Sequence, residues 1–361
     1  MQIIKPKICY VLPKFDLETD THYFYLYDFI NQVAKDADLV LLIEDKRSNV
    51  DFFKEVSNVY VQKFHYGFLR WLENFYLILK IRLRGYKNFY VHYSYISAFN
   101  AGLVAKISLA RAFYWSCGMM WLFGKKRSLK LILHIVSYLV TGAKSVADGY
   151  STQYNLATSK IKIMPNWVDL QRFGNFNLDN IYQKYNLEID KEYVLFVHRL
   201  AERKGAHYIA KIASAFVDRK NVKFLIVGDG PYKDTLVKEI QNLSNVILLG
   251  KVPNKDVPAI MKIAKLFFMP SEEEGSPRVL LEAMASCLPY VAFDIGGVKE
   301  ISSLAQQKYI VPLKNAPMMI EKLRVLLEQE SLRANLAELN YQHVKKFDIL
   351  KVKEIFIGLF N

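Results

Sequence analysis

The chain has 361 residues, 52% of them hydrophobic, and a net charge of +14. That apolar content is ample for packed cores and excludes a disordered chain, while the length suits two domains or one large one. Its three cysteines, Cys9, Cys117 and Cys287, lie far apart, which gives neither a disulfide framework nor a metal spacing and fits a reducing, cytosolic compartment. Met1 to Lys7 has no long apolar run behind its charges, so no signal peptide is expected. Nor does any stretch approach the roughly 20 apolar residues of a spanning helix; the nearest, Leu131 to Val140, is short and interrupted.

The charge is segregated. Residues 63–147 hold thirteen Lys or Arg against one acid, Glu73, together with Phe64, Tyr66, Phe68, Trp71, Phe75 and Tyr76. Two readings stand: attraction to an anionic membrane surface, or aromatics in the core with the cations on a solvated face. A nucleic-acid partner finds no supporting motif.

Lys7–Leu12 reads as the first strand. A loop with Lys14, Asp20 and His22 follows; Thr21-His22 leads into a helix ending near Lys35, and Asp38–Glu44 is the second strand. Asp36-Ala37-Asp38 has the D-x-D form of some metal sites, but it falls in a helix-to-strand turn, where aspartates serve local ends, so no metal is assigned. Asn88–Tyr93 reads as a strand that places His92 near its end, and Ala101–Ser108 as a helix. Arg111 to Gly118 reads as a strand running into a turn at Ser116 and Cys117; Tyr138–Ala143 is the next strand. Pro165 and Asn166 disfavour regular structure, so a hinge is expected there, with residues 169–190 as a polar linker.

A second domain opens near Glu192. Its first strand, Tyr193–Val197, runs into His198-Arg199-Leu200-Ala201-Glu202-Arg203-Lys204-Gly205. Strand Val222–Val227 ends in Gly228-Asp229-Gly230-Pro231, where glycine permits a tight turn and close backbone approach. Strand Val246–Leu249 leads into Gly250-Lys251-Val252-Pro253. No G-x-G-x-x-G is present, so these turns are not a dinucleotide fingerprint.

The stretch from Lys265 to Gly297 carries the most chemistry. It reads as strand Leu266–Met269, a polar loop with Glu272, Glu273 and Glu274, a helix over Pro277–Ser286, strand Tyr290–Phe293 and a turn at Asp294-Ile295-Gly296-Gly297. Ser276-Pro277 is a helix start, with serine expected to cap the open backbone N–H groups and proline at the first helical position. In a parallel sheet this loop lies at the carboxyl edge of the strands, where open α/β folds bind ligands. The helix N-terminus there attracts phosphate, whereas Glu274 and Glu282 repel it and suit sugar hydroxyls instead. A sugar nucleotide is the ligand these residues imply.

Glu274 and Glu282, with the seven residues Gly275-Ser276-Pro277-Arg278-Val279-Leu280-Leu281 between them, resemble the E-x7-E motif of family 4 retaining glycosyltransferases. Arg199 to Gly205 is similar to the same family's G-R-L-x-x-x-K-G loop, with His198 in place of its glycine, and Pro165-Asn166-Trp167-Val168-Asp169 resembles its P-N-G-V-D junction. The resemblance implies an α/β fold of GT-B architecture, two Rossmann-like parallel-sheet domains facing across a cleft. Residues 1–168 would form the acceptor-side domain and 191–347 the nucleotide-sugar domain, with a C-terminal helix from about residue 348 crossing back.

It further implies a retaining, metal-independent hexosyltransferase with no cofactor. Arg199 and Lys204 would hold the donor diphosphate: arginine forks onto two oxygens and lysine supplies a compact charge. Glu274 would orient the sugar and Glu282 the ribose. Gly275, Arg278, Val279, Gly228 and Val252 complete the expected donor site. His22, His92 and Ser116 are the candidates on the acceptor side, where relatives carry a glycine-rich turn and a histidine that this chain lacks. The expected partners are a UDP- or GDP-sugar, a glycan or lipid-linked acceptor of surface polysaccharide or glycolipid synthesis, and an anionic membrane surface on which the cytoplasmic protein sits peripherally. A nucleotide-sugar 2-epimerase on the same fold and a nonenzymatic sugar-binding protein are the alternatives.

Overall fold

The computed structural model describes residues 5–18, 24–124 and 127–361. The chain divides into two compact units, Met1–Pro165 with Ile349–Asn361, and Asn166–Asp348.

The first unit is built on seven strands: β1 Lys7–Leu12, β2 Asp38–Ile43, β3 Asn58–Val61, β4 Asn88–His92, β5 Arg111–Trp115, β6 Tyr138–Thr141 and β7 Ile161–Ile163. Their order is β3-β2-β1-β4-β5-β6-β7, with every pairing parallel. Helices α1 Phe24–Ala34, α2 Gly67–Leu83, α3 Tyr95–Ser108, α4 Arg127–Ile135 and α5 Lys144–Tyr154 connect them. The strands are near-continuous apolar runs because helices cover both faces of the sheet. On one face Val11, Val40, Val91 and Tyr114 pack with Ile78 of α2, Val104 of α3, Ile132 of α4 and Val146 of α5. The Leu131–Val140 run is split between α4 and β6, and no helix of the described residues is long and apolar enough to cross a membrane.

The second unit has six parallel strands: β8 Glu192–Val197, β9 Val222–Val227, β10 Val246–Gly250, β11 Ala264–Met269, β12 Tyr290–Phe293 and β13 Ile310–Val311, in the order β10-β9-β8-β11-β12-β13. Its helices are α6 Leu178–Lys184, α7 Ile209–Ser214, α8 Lys233–Ile240, α9 Val257–Ile263, α10 Arg278–Ala285, α11 Val298–Ile301, α12 Ala316–Glu328 and α13 Glu330–Val344. Residues 169–190 do not form the expected linker. Phe173, Ile181 and Leu187 are buried in the same core as Ile260 and Leu281, and Lys184 and Tyr185 both hold the Asp256 carboxylate at 2.6 Å. The signal was the short helical spacing of Leu178, Ile181, Tyr182 and Tyr185 inside an otherwise polar run.

The chain returns to the first unit as α14, Ile349–Gly358. Beside that return, Val168 N–H donates to Phe347 O at 3.0 Å. Phe356 packs edge-on against Phe29 and Tyr90, and Phe360 against Phe113, which closes the second face of the first sheet. Lys353 of α14 pairs with Asp36, while Asp38 accepts hydrogen bonds from Ser57 and Tyr86. The D-x-D carboxylates thus serve packing. Phe356 is fully buried, and truncating such a phenylalanine costs about 3–5 kcal/mol. Phe356→Ala is therefore expected to lower the urea midpoint of the first unit strongly; an unchanged midpoint would show that α14 docks without stabilising it.

Candidate active site

The connections leaving β8 and β11 run to opposite sides of the sheet, since β8 is followed by its neighbour β9 and β11 by β12 on the other flank. That reversal leaves an opening between the carboxyl ends of β8 and β11, where ligands bind in such sheets. The loops after these two strands, residues 198–205 and 270–276, meet there. Two glycines let other loops press in. A Cβ on Gly228 would stand 1.8 Å from His198 O, and one on Gly296, whose φ is +53°, 1.8 Å from Glu274 O.

Glu274 is the centre of the meeting point and is buried. Its Oε1 accepts from Lys204 Nζ at 2.8 Å and lies 3.1 Å from His198 Nε2. Arg199 N–H donates to His198 Nδ1 at 2.8 Å. Nδ1 is thus an acceptor, which makes Nε2 the protonated nitrogen that donates to Glu274. Burial opposes charge on Glu274, but the Lys204 ammonium and the His198 hydrogen bond outweigh it and hold the carboxyl down to about 2. Both partners sit on Oε1, which leaves Oε2 for a ligand hydroxyl.

Lys204 is also buried, and its second hydrogen bond goes to Glu273 O at 2.9 Å. An ammonium has three protons, so one remains for an anion. Arg199 is exposed, next to His198 in sequence. Arg199 and Lys204 therefore stand at the same strand edge as Glu274. Around them lies an outer ring: Glu273 meets Arg203 at 3.4 Å, and Glu272 takes Tyr208 Oη at 2.7 Å, His207 at 3.4 Å and Lys314 at 3.2 Å. Of three consecutive glutamates, only Glu274 was singled out by sequence spacing. The roles of Glu272, Glu273 and His198 depend on contacts with residues some seventy positions away, or more than forty in the case of Lys314.

The helix after this loop starts one residue later than expected. Pro277 is the N-cap of α10, and no side chain caps the helix. Ser276 Oγ is buried and makes no hydrogen bond, while Ser276 O accepts from Asn166 Nδ2 at 2.6 Å. Asn166 is thereby tied to the glutamate loop. Arg278 and Val279 open the first turn, whose N–H groups point along the helix axis toward any anion placed there. Arg278 and Glu282, both expected at the donor, pair with each other at 3.2 Å. Gly275 O accepts from Gly297 N–H at 2.7 Å, and Val252 is buried in the core.

Of the acceptor-side candidates, His92 and Ser116 lie at the ends of the neighbouring strands β4 and β5, and both are buried. His22 lies outside the described residues. His92 is fully buried, accepting or donating at Nδ1 to Tyr10 Oη at 2.9 Å and stacking on Trp115, so no atom of it is open to a solute. Ser116 is buried too, with Oγ 2.8 Å from Tyr150 Oη.

Residues 178–343 match the model of the family described as glycosyl transferases group 1. A glycosyltransferase ascribed to teichuronic acid biosynthesis in Bacillus subtilis, TuaC, is 31% identical over 52% of this chain and 46% of its own. A Campylobacter jejuni α-1,4-N-acetyl-D-galactosaminyltransferase, named for an undecaprenol diphosphate-linked glycan, is 28% identical over 63% of this chain and 62% of its own. The matched stretch spans about half the length of the curated relatives. Among solved structures, Anabaena HepE in complex with UDP superposes with a TM-score of 0.78 at 16% identity, covering 98% of this chain and 99% of that one. The fold is GT-B.

Removing one partner of a buried ion pair costs about 3–5 kcal/mol, so Lys204→Met is expected to unfold at distinctly lower urea than the wild type at neutral pH. The sign with pH follows from Glu274. Its folded pKa lies below the ordinary 4.5, so the wild type holds this stability above about pH 4.5 and loses it as pH falls toward 2. The two proteins should therefore converge on acidification. Equal stability at neutral pH would contradict the pairing.

Proposed function

We propose that this chain, with its glycosyl transferases group 1 region, moves a hexose from a nucleotide-sugar donor to a glycan or lipid-linked acceptor and retains the anomeric configuration. The observation that carries the reading is the Glu274 carboxylate, buried at the strand switch point with Lys204 and His198 both on Oε1. On this reading Oε2 would accept from the hydroxyls of the donor sugar. As the nucleotide departs, charge grows on its diphosphate. Arg199, the remaining Lys204 proton and the first turn of α10 around Arg278 and Val279 offset that charge without a divalent metal. Preorganised donors of this kind are worth roughly 3–4 kcal/mol each. The Arg278–Glu282 pair would hand Glu282 to the ribose. UDP and GDP are the candidate nucleotides, and the name of the Campylobacter relative supports an undecaprenol-linked acceptor in surface polysaccharide synthesis, with the chain held peripherally at the cytoplasmic face of a membrane.

Glu274→Ala and Arg199→Ala are expected to lower transfer at least about a hundredfold, with the circular dichroism of the folded protein unchanged, although Glu274→Ala, like Lys204→Met, should unfold at lower urea. Thermal unfolding should rise with UDP or GDP and their sugars, because a ligand that binds only the folded state stabilises it. Normal turnover by either variant would remove the assignment. A 2-epimerase would alter the donor with no acceptor present, and a sugar-binding protein would show the thermal shift without turnover.

A further inference from the structure

The aromatic, basic segment of the first unit is not all core. Phe89, Tyr90 and Trp115 are fully buried, but α2 keeps an apolar outer face. Its inner face is committed: Ile78 and Ile81 are buried against the sheet, and Asn74 donates to Ser97 Oγ at 2.7 Å, which donates to the buried Glu44 at 2.6 Å. The outer face presents Phe68, Leu72, Tyr76 and Leu83, at 69%, 40%, 59% and 80% exposure. Their spacing puts them on one helical stripe. Phe68, Trp71 and Phe75 stack in series at 5.7 and 5.9 Å, so part of the surface is preformed. At the end of α2, Arg82 donates to Ser108 O at 2.6 Å and brings in the end of α3, where Ile107 and Leu109 are exposed. Single exposed apolar residues need no explanation, but a contiguous row of them marks a docking surface.

Charge selects the occupant. Lys63, Arg84, Lys87 and Lys106 are exposed near the ends of α2 and α3, and Arg127 and Lys130 are exposed on α4, which packs on α3. The segment's one acid is used internally: Glu73 accepts from Lys63 N–H and Phe64 N–H at 2.8 to 3.0 Å. We propose that the outer face of α2 docks this chain on an anionic lipid bilayer, with Phe68, Leu72 and Tyr76 entering the headgroup region and the exposed cations at the ends of α2 and α3 meeting lipid phosphates. A bilayer with anionic headgroups supplies the apolar and the negative counterpart together. This surface locates the peripheral association proposed above and rests on that reading.

The test is co-sedimentation of the full chain with vesicles of phosphatidylglycerol and phosphatidylcholine, beside vesicles of phosphatidylcholine alone. The wild type should bind the anionic vesicles at low salt and release at high salt. Phe68→Ser with Leu72→Ser and Tyr76→Ser should lose about tenfold or more of that binding, while keeping the wild-type melting temperature and the same UDP or GDP shift. A triple variant that binds as the wild type does overturns the proposal, as does equal binding to uncharged vesicles. Wild-type self-association that the triple variant abolishes, without vesicle binding, assigns the face to a second copy instead. A nucleotide shift without vesicle binding sinks the docking surface alone; vesicle binding without a nucleotide shift sinks the transferase reading alone.

Discussion

The second unit depends on one buried ion pair. Glu274 and Lys204 come from loops seventy residues apart, and their 2.8 Å contact fixes both loops at the same point. Neither charge could be buried alone, because an unpaired carboxylate in such a place would take up a proton. Together they stay ionised, and His198 adds a third contact on the same oxygen. The carboxylate is held at one end and left open at the other.

Sheet topology explains why the pair forms where it does. The order β10-β9-β8-β11-β12-β13 places β8 beside β11, although two strands separate them in sequence. Short apolar strands carry the loops to one edge, and Gly228 and Gly296 let neighbouring loops approach at backbone distance. Asn166 then ties the start of the unit to the same loop through Ser276 O. The first unit uses the same architecture differently. Its carboxyl edge is filled by a buried polar network joining Glu44, Ser97, Asn74 and Asn100, and its candidate histidine, His92, is packed among aromatics.

What was legible in the sequence follows from the range of the forces involved. Strands such as Lys7–Leu12 and Val222–Val227 were readable because local apolar runs decide them. The E-x7-E spacing and the Arg199 to Gly205 loop were readable because the residues that matter are neighbours in the chain. Residues 169–190 were misread because the helical spacing of Leu178, Ile181, Tyr182 and Tyr185 is only about two turns long and sits among polar residues, while its partners lie in the tertiary core. The serine cap failed because Pro277 takes the cap position and Ser276 is turned inward. His198 was visible as a departure from a glycine, but its task needed the contact with Glu274. The basic, aromatic segment could not be divided between core and surface until α2 showed which of its faces is buried.

The most direct measurement is a crystal structure of the chain with a nucleotide-sugar donor bound. It should place the diphosphate within hydrogen-bond reach of Arg199 and Lys204 Nζ, and a sugar hydroxyl on Glu274 Oε2, with Lys204 and His198 still on Oε1. A donor bound away from the carboxyl ends of β8 and β11, or one that leaves Glu274 uncontacted, would contradict the account.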